Sequence, residues 1–184
     1  MTEPAAGILL IAEPFLKDPS FARSVVLICR HNEEEGTFGF VLSRQLELSL
    51  DEIMNDLDGW ELPVFNGGPV SPDTLHYLHR YPDLFPDAVN IIDDVYWGGD
   101  FEKLKELLKA GVVEPENIKF FLGFSGWMPA QLDEEMKENT WLTVEGNSKI
   151  IFDTDHEEIW NASLLKLGGS YKMMINFPTD PQLN

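Results

Sequence analysis

The 184-residue sequence is short of positive charge: 13 Lys and Arg stand against 32 Asp and Glu, a formal net charge of −19. The deficit is spread along the chain, residues 1–92 contributing −10 and residues 93–184 contributing −9. A chain so evenly acidic has no basic stripe with which to neutralise phosphates, the main source of non-specific affinity for nucleic acid. The same field opposes attachment to anionic membranes and favours basic partners. Cysteine is almost absent too, and the lone Cys29 excludes an intramolecular disulfide and a multi-thiolate zinc site. No apolar run approaches the ~18 residues that span a bilayer, and no basic segment leads into a long apolar one near the start, so a soluble, cytoplasmic protein is expected.

Catalytic and cofactor signatures are also missing. Gly67-Gly68 and Gly98-Gly99 lack the further glycines and the lysine of phosphate-binding loops, and no cofactor is implied. Gly123-Phe124-Ser125-Gly126-Trp127 sits where a nucleophile elbow would, but Trp127 stands where that turn requires Gly. Without a His and an acid placed to complete a triad, Ser125 reads as a small residue at a crowded strand end. Cys29 and His31 share a face if their segment is a strand, yet Cys29 lies in an apolar run and reads as a buried thiol. Asp153-Thr154-Asp155-His156-Glu157-Glu158 opens like a calcium loop, but Glu158 takes the position that needs Gly and Leu164 the one that needs a bidentate Glu. His76 and His79 fall on opposite faces of a strand.

What is present is an ample apolar fraction, 43%, with no low-complexity linker, so residues 1–184 read as one domain. Strands are expected over Gly7 to Ala12, Ser24 to Arg30, Thr37 to Leu42, Thr74 to His79, Ala88 to Ile92, Val95 to Trp97 and Ile118 to Phe124. The turn Asn32 to Gly36 makes the second and third a hairpin. Trp141 to Val144 and Lys149 to Phe152 read as a further hairpin around Gly146-Asn147. Ser49 and Glu52 have capping-box spacing, with Leu48 and Ile53 as a staple, and predict a helix through Leu57. Phe101, Leu104, Leu107 and Leu108 form an apolar helical stripe ended by Gly111, and a last helix is expected from Asp155 to Gly168-Gly169. The composition is α+β.

The most distinctive stretch is Gly123-Phe124-Ser125-Gly126-Trp127-Met128-Pro129-Ala130-Gln131-Leu132-Asp133-Glu134-Glu135, an apolar strand joined to an acidic helix by a Gly-Trp-x-Pro corner. With Gly7 to Pro14, Phe21 to Leu27, Asn66-Gly67-Gly68-Pro69-Val70 and Phe152-Asp153-Thr154-Asp155 with Trp160, in that order, it resembles the bacterial AlgH/YqgE family. The chain departs from that pattern at Ser43 and Gln45, where many members carry Asn and Pro, and in its ending, Asn176-Phe177-Pro178-Thr179-Asp180-Pro181. The resemblance implies several coiled antiparallel β-sheets including an SH3-like barrel, with about four short helices, and the family's naming implies transcriptional regulation.

Six residues stand out as candidates for binding a ligand or partner. Gly67 and Gly68 could let backbone N–H groups approach an anion, or simply form a tight turn. Trp127 and Gln131 mark the corner, where Gln131 can bond back to the start of the helix. Arg23 and Arg44 are brought to one end of the hairpin by pairing around its turn, with Glu13 and Asp18 as local partners. These features fit a non-enzymatic regulatory or interaction module whose partner is a protein or a small molecule. The alternatives are a small-molecule or anion binder, or an enzyme, at the Gly67-Gly68 turn and Trp127/Gln131 corner, and a DNA-binding regulator, against which the charge argues.

Overall fold

Ile8-Leu9-Leu10-Ile11-Ala12 is apolar at every position rather than alternately, and all five residues are buried, because this strand is covered on both faces. The computed structural model describes residues 2–178, so the terminal Thr179-Asp180-Pro181 of the sequence pattern lies outside the described residues. Among the described residues ten strands form: β1 (Ile8–Ala12), β2 (Val25–Asn32), β3 (Gly36–Val41), β4 (Gln45–Ser49), β5 (Pro63–Asn66), β6 (Val70–His79), β7 (Val89–Ile92), β8 (Val95–Trp97), β9 (Ile118–Trp127) and β10 (Trp141–Glu145). Five α-helices join them: α1 (Leu50–Ile53), α2 (Phe101–Lys109), α3 (Gln131–Lys137), α4 (Ser148–Phe152) and α5 (Ile159–Leu167), followed by a 3-10 helix over Gly169–Asn176.

The strands run in the order β10-β1-β2-β3-β9-β6-β8-β7, with β4 and β5 attached beside β9, as one ten-stranded sheet curled into a half-barrel. The several sheets expected from the sequence are therefore continuous. Every described pairing is antiparallel except β5 with β9. Three apolar clusters fill its faces. Leu9, Ile11, Leu27, Phe40 and Phe121 pack under α4 and α5; Leu10, Val26, Trp127 and Trp141 pack with Leu132 of α3; Val64, Tyr77 and Phe120 pack with Leu104 and Leu108 of α2. Neighbours Phe120 and Phe121 thus serve opposite faces of β9.

Three expected elements differ. Lys149 to Phe152 is helical rather than a hairpin strand: the Asn147 side chain accepts the Ile150 N–H at 2.8 Å and caps α4, and a helical turn lets adjacent Ile150 and Ile151 both reach the core. The last helix starts at Ile159 rather than Asp155, because the Asp155 carboxylate accepts the Glu157 N–H at 3.0 Å and holds a turn. The capping box at Ser49 and Glu52 is formed, but α1 stops at Ile53. Beyond it Asn55, Asp56 and Asp58 favour turns, and Asp56 is drawn 2.6 Å from the Lys105 ammonium of α2. Leu48 is exposed and Gln45–Ser49 adds a strand that the sequence did not signal.

β9 organises the whole. Over Phe120–Leu122 it pairs with β5 on one edge, over Ser125–Trp127 with β3 on that same edge, and with β6 on the other. The handover from β5 to β3 occurs at Gly67, whose N–H donates to Leu122 and whose carbonyl accepts from Val41 at 2.8 and 2.9 Å. A Cβ at Gly67 would lie 2.3 Å from the Gly123 carbonyl oxygen, and one at Gly68, where φ is +148°, would lie 2.3 Å from the Phe124 carbonyl. Backbone touches backbone here, which only glycine permits. Gly67→Ala is therefore expected to lower unfolding free energy by about 1–3 kcal/mol in denaturant melts. Gly126→Ala, where an added Cβ meets nothing nearer than 3.5 Å, should stay close to the parent; equal midpoints for the two variants would refute the tight junction.

Candidate functional site

At the end of β9 the chain turns through Met128, Pro129 and Ala130, the last with φ of +64°. Gln131 secures the turn: its Oε1 accepts the Met128 N–H at 3.0 Å, across the turn that precedes α3 rather than at the helix start as expected, and its Nε2 donates to Glu135 Oε1 at 3.0 Å. The other Glu135 oxygen accepts from two indoles, Trp127 Nε1 at 2.8 Å and Trp141 Nε1 at 2.7 Å. The two rings meet edge-on with centroids 5.9 Å apart, and Phe21 contacts both. Both indoles are buried, and one carboxylate satisfies them while fixing α3 against the sheet.

The other sequence candidates are placed apart. The Gly67 N–H is taken by Leu122 and the Gly68 N–H by the Asn66 side chain at 3.1 Å, so both donors are engaged. Arg44 shares a hollow of 100 Å³ with Gly68, Asn66 and Ser20, and its Nη2 donates to the Ala22 carbonyl at 3.0 Å. Burial pulls this guanidinium below its ordinary pKa, against the field of Asp18. Arg23 lies over the Trp160 ring, 4.9 Å from its centroid, and donates to the Phe177 carbonyl. Arg44 thus reaches back to the residue before Arg23, at one end of the hairpin. Among the described residues neither arginine has a carboxylate within ion-pair distance.

Cys29 is the extra residue of a bulge between Ile28 and Arg30, fully enclosed, and burial pushes its thiol well up. His31 instead lies 2.8 Å from the Thr37 hydroxyl. Ser125 is buried and donates to the Gly67 carbonyl at 3.0 Å. His79 accepts the Tyr81 N–H at Nδ1, so its Nε2 carries the proton it gives to the Gly98 carbonyl at 2.8 Å. No group of three or more His, Cys, Asp and Glu side chains among the described residues is arranged to hold a metal ion.

Two open features flank the Gly-Trp-x-Pro corner, which lends Gly126, Trp127, Met128 and Pro129 to one and Met128, Ala130, Leu132 and Asp133 to the other. The half-barrel's concave side holds a 570 Å³ groove whose wall is Phe38 of β3, His76 of β6, Trp97 of β8 and Phe124 of β9. The Phe38 ring lies 4.8 Å from both Trp97 and Phe124, and the half-buried His76 is pushed toward its neutral form by desolvation. Trp127 borders the groove, and Arg30 and Glu35 stand at its rim. Beside it is a 490 Å³ hollow lined by Glu3, Glu33 and Asp133 with His31, and by no Lys or Arg. The two share a wall of Gly36, Thr37 and Met128, the last 75% exposed. The corner pointed to this region from sequence, but the aromatic wall comes from four strands that only the sheet order brings together.

Fold and surface define an α+β protein on a strongly curled sheet with an aromatic concave face. Residues 9–172 match the model of a domain of unknown function described as AlgH-like, and the chain belongs to this family. It is 43% identical to a UPF0301 protein of Cytophaga hutchinsonii, over 97% of this chain and 98% of the relative. Identity to a UPF0301 protein of Bacteroides thetaiotaomicron is 40%, over 98% and 92%. The solution structure of AlgH from Pseudomonas aeruginosa is similar at TM-score 0.73 and 29% identity, over 97% of this chain and 98% of that one. Protein DIP2367 of Corynebacterium diphtheriae, at TM-score 0.77 and 21% identity over 96% and 94%, shares the fold. None of these names states an activity. No described helix is long and apolar enough to cross a membrane.

The shared acceptor makes a definite expectation. Glu135→Ala would leave two buried indole N–H groups unpaired, and unfolding free energy should fall by about 2–4 kcal/mol, well beyond the ±0.5 kcal/mol of an ordinary surface change just past α3 such as Glu138→Ala. Trp127→Ala and Trp141→Ala should each cost ~3–5 kcal/mol in thermal melts. A Glu135→Ala melt matching that of Glu138→Ala would show that the carboxylate is dispensable.

Proposed function

We propose that this chain is a non-enzymatic protein-interaction module that docks a basic, apolar-anchored segment of a partner protein on its concave face. The observation that supports this reading is the shared wall between the acidic hollow and the aromatic groove. A Lys or Arg side chain entering the hollow meets Glu3, Glu33 and Asp133, while a neighbouring aromatic or aliphatic side chain fills the groove beside Trp97 and Phe124. Aromatic anchors in a concave pocket supply most binding energy, and the charged rim sets orientation and on-rate. The overall −19 charge draws such a segment in and turns acidic competitors away. The regulatory role that the family's naming suggests would then act through this partner, without contact between this chain and DNA.

Titration of isotope-labelled protein with a synthetic Arg-Trp-containing peptide is expected to shift Phe38, Trp97, Phe124 and Asp133. A Glu-for-Arg peptide should bind at least roughly tenfold more weakly, and Asp133→Lys should erase that preference. Shifts away from this face, or equal binding of both peptides, would overturn the docking assignment.

The same reading requires that labelled DNA duplex show no saturable anisotropy change at low or moderate salt. Non-specific binders reach about 10⁻⁴–10⁻⁶ M at physiological salt through counterion release, and this surface has few cations to release counterions with. Saturable micromolar binding with a steep salt slope would restore the DNA-binding alternative.

A further inference from the structure

Lys119 is the one cation in the apolar run Ile118-Lys119-Phe120-Phe121-Leu122 of β9, and it is 8% exposed. Its Nζ donates to the Ile151 carbonyl at 3.3 Å and rests 4.2 Å from the centroid of the Phe65 ring. Among the described residues no carboxylate comes within ion-pair distance of it, and Asp155 acts only through its field. Desolvation outweighs that field and pulls the amine down to about 7, so a large share of it is unprotonated at neutral pH. A buried lysine depressed in this way is a nucleophile.

The amine does not face a sealed core. It lines a 210 Å³ cleft with Phe65, Glu116, Phe152, Thr154, Asp155 and His156. His156 packs against the same Phe65 ring, centroids 5.9 Å apart, and is half-buried. None of these residues lines the aromatic groove or the acidic hollow, so this site is separate from the proposed docking face and can fail independently of it.

We propose that this cleft is a covalent capture site in which Lys119 condenses with a small uncharged aldehyde. The Nζ lone pair forms a bond to the carbonyl carbon while the carbonyl oxygen takes a proton, giving a carbinolamine. That oxygen then leaves as water, the water's two hydrogens balance the two lost from the amine, and a C=N bond remains. No oxidant or reductant takes part. His156 is the group in the cleft able to hand a proton to the departing hydroxyl. The protonated imine keeps positive charge over the Phe65 ring and in the field of Asp155, where the ammonium stood. A carbonyl compound bearing a carboxylate would instead meet Asp155 and Glu116, which is why the class is uncharged.

The test treats the intact folded protein with propanal and cyanoborohydride, which fixes imines as propyl-lysine, and maps the modified positions by peptide mass spectrometry. At pH 7 Lys119 should be modified at least roughly tenfold faster than Lys17 or Lys172, neither of which lines the cleft. Its rate should rise to a plateau with a midpoint near pH 7, a profile set by Lys119 with Asp155, Glu116 and His156 facing it. Lys119→Arg, checked for folding by circular dichroism, should remove the fast phase and leave the slow ones. Modification of Lys119 no faster than of Lys17 and Lys172 would overturn the proposal, and so would faster capture of glyoxylate than of propanal.

Discussion

Strand β9 pairs with three other strands, and the close approach of residues 66–68 to residues 122–125 is the constraint on which the architecture rests. Where β5 ends and β3 begins along one edge of β9, three backbones share a space that leaves no room for a Cβ. β3 replaces β5 partway along the strand, and the sheet around it curls into an open half-barrel. The concave aromatic wall, the Trp127 corner and the buried amine of Lys119 all hang on this one strand: the corner at its end, Phe124 near it, Lys119 at its start. The glycine pair that looked like an anion cradle in the sequence is the hinge of this handover, its donors engaged within the protein.

Much of the fold is legible in the sequence because the strands are apolar enough to show, and the ends of α2 and β9 carry turn and capping residues that act locally. The family resemblance likewise rests on residues that turn out to shape the β9 junction and the corner: Gly67, Gly68, Gly123, Trp127 and Gln131. Misreadings occur where a local signal has two outcomes. Asn147 after Gly146 suits a turn or a helix cap, and two adjacent buried isoleucines decide for the helix. The aromatic wall beside the Trp127 corner was illegible for a different reason. Phe38, His76, Trp97 and Phe124 are 86 residues apart at the extremes, and each alone resembles ordinary core. Lys119 did carry a signal, a solitary cation inside an apolar strand, whose meaning depended on both faces of that strand being covered.

The shortage of positive charge has a structural counterpart, since several of the few cations are committed internally. Arg80 grips Asp153 through two nitrogens at 2.9 and 3.0 Å, approaches Asp94 at 3.4 Å and lies over the Phe152 ring, fastening the end of β6 to α4. Lys105 ties α2 to the segment after α1 through Asp56 and also pairs with Glu102. Arg23 and Arg44 serve backbone carbonyls. With these side chains turned to cohesion, the solvent-facing charge is more one-sided than composition alone suggests, and the acidic hollow lies next to the groove without a lysine or arginine of its own.

The carboxylate shared by Trp127 and Trp141 also makes the molecule its own optical gauge. Both indole N–H groups rely on a single side chain of α3, so lifting that helix from the sheet strips both chromophores of their acceptor in one event. Tryptophan emission in this protein therefore registers the seating of one helix in addition to the integrity of the whole. In a variant that keeps only Trp127 and Trp141, a spectral change that precedes loss of secondary structure would be the signature of α3 opening by itself, a local motion beside the acidic hollow that Asp133 of the same helix helps to line.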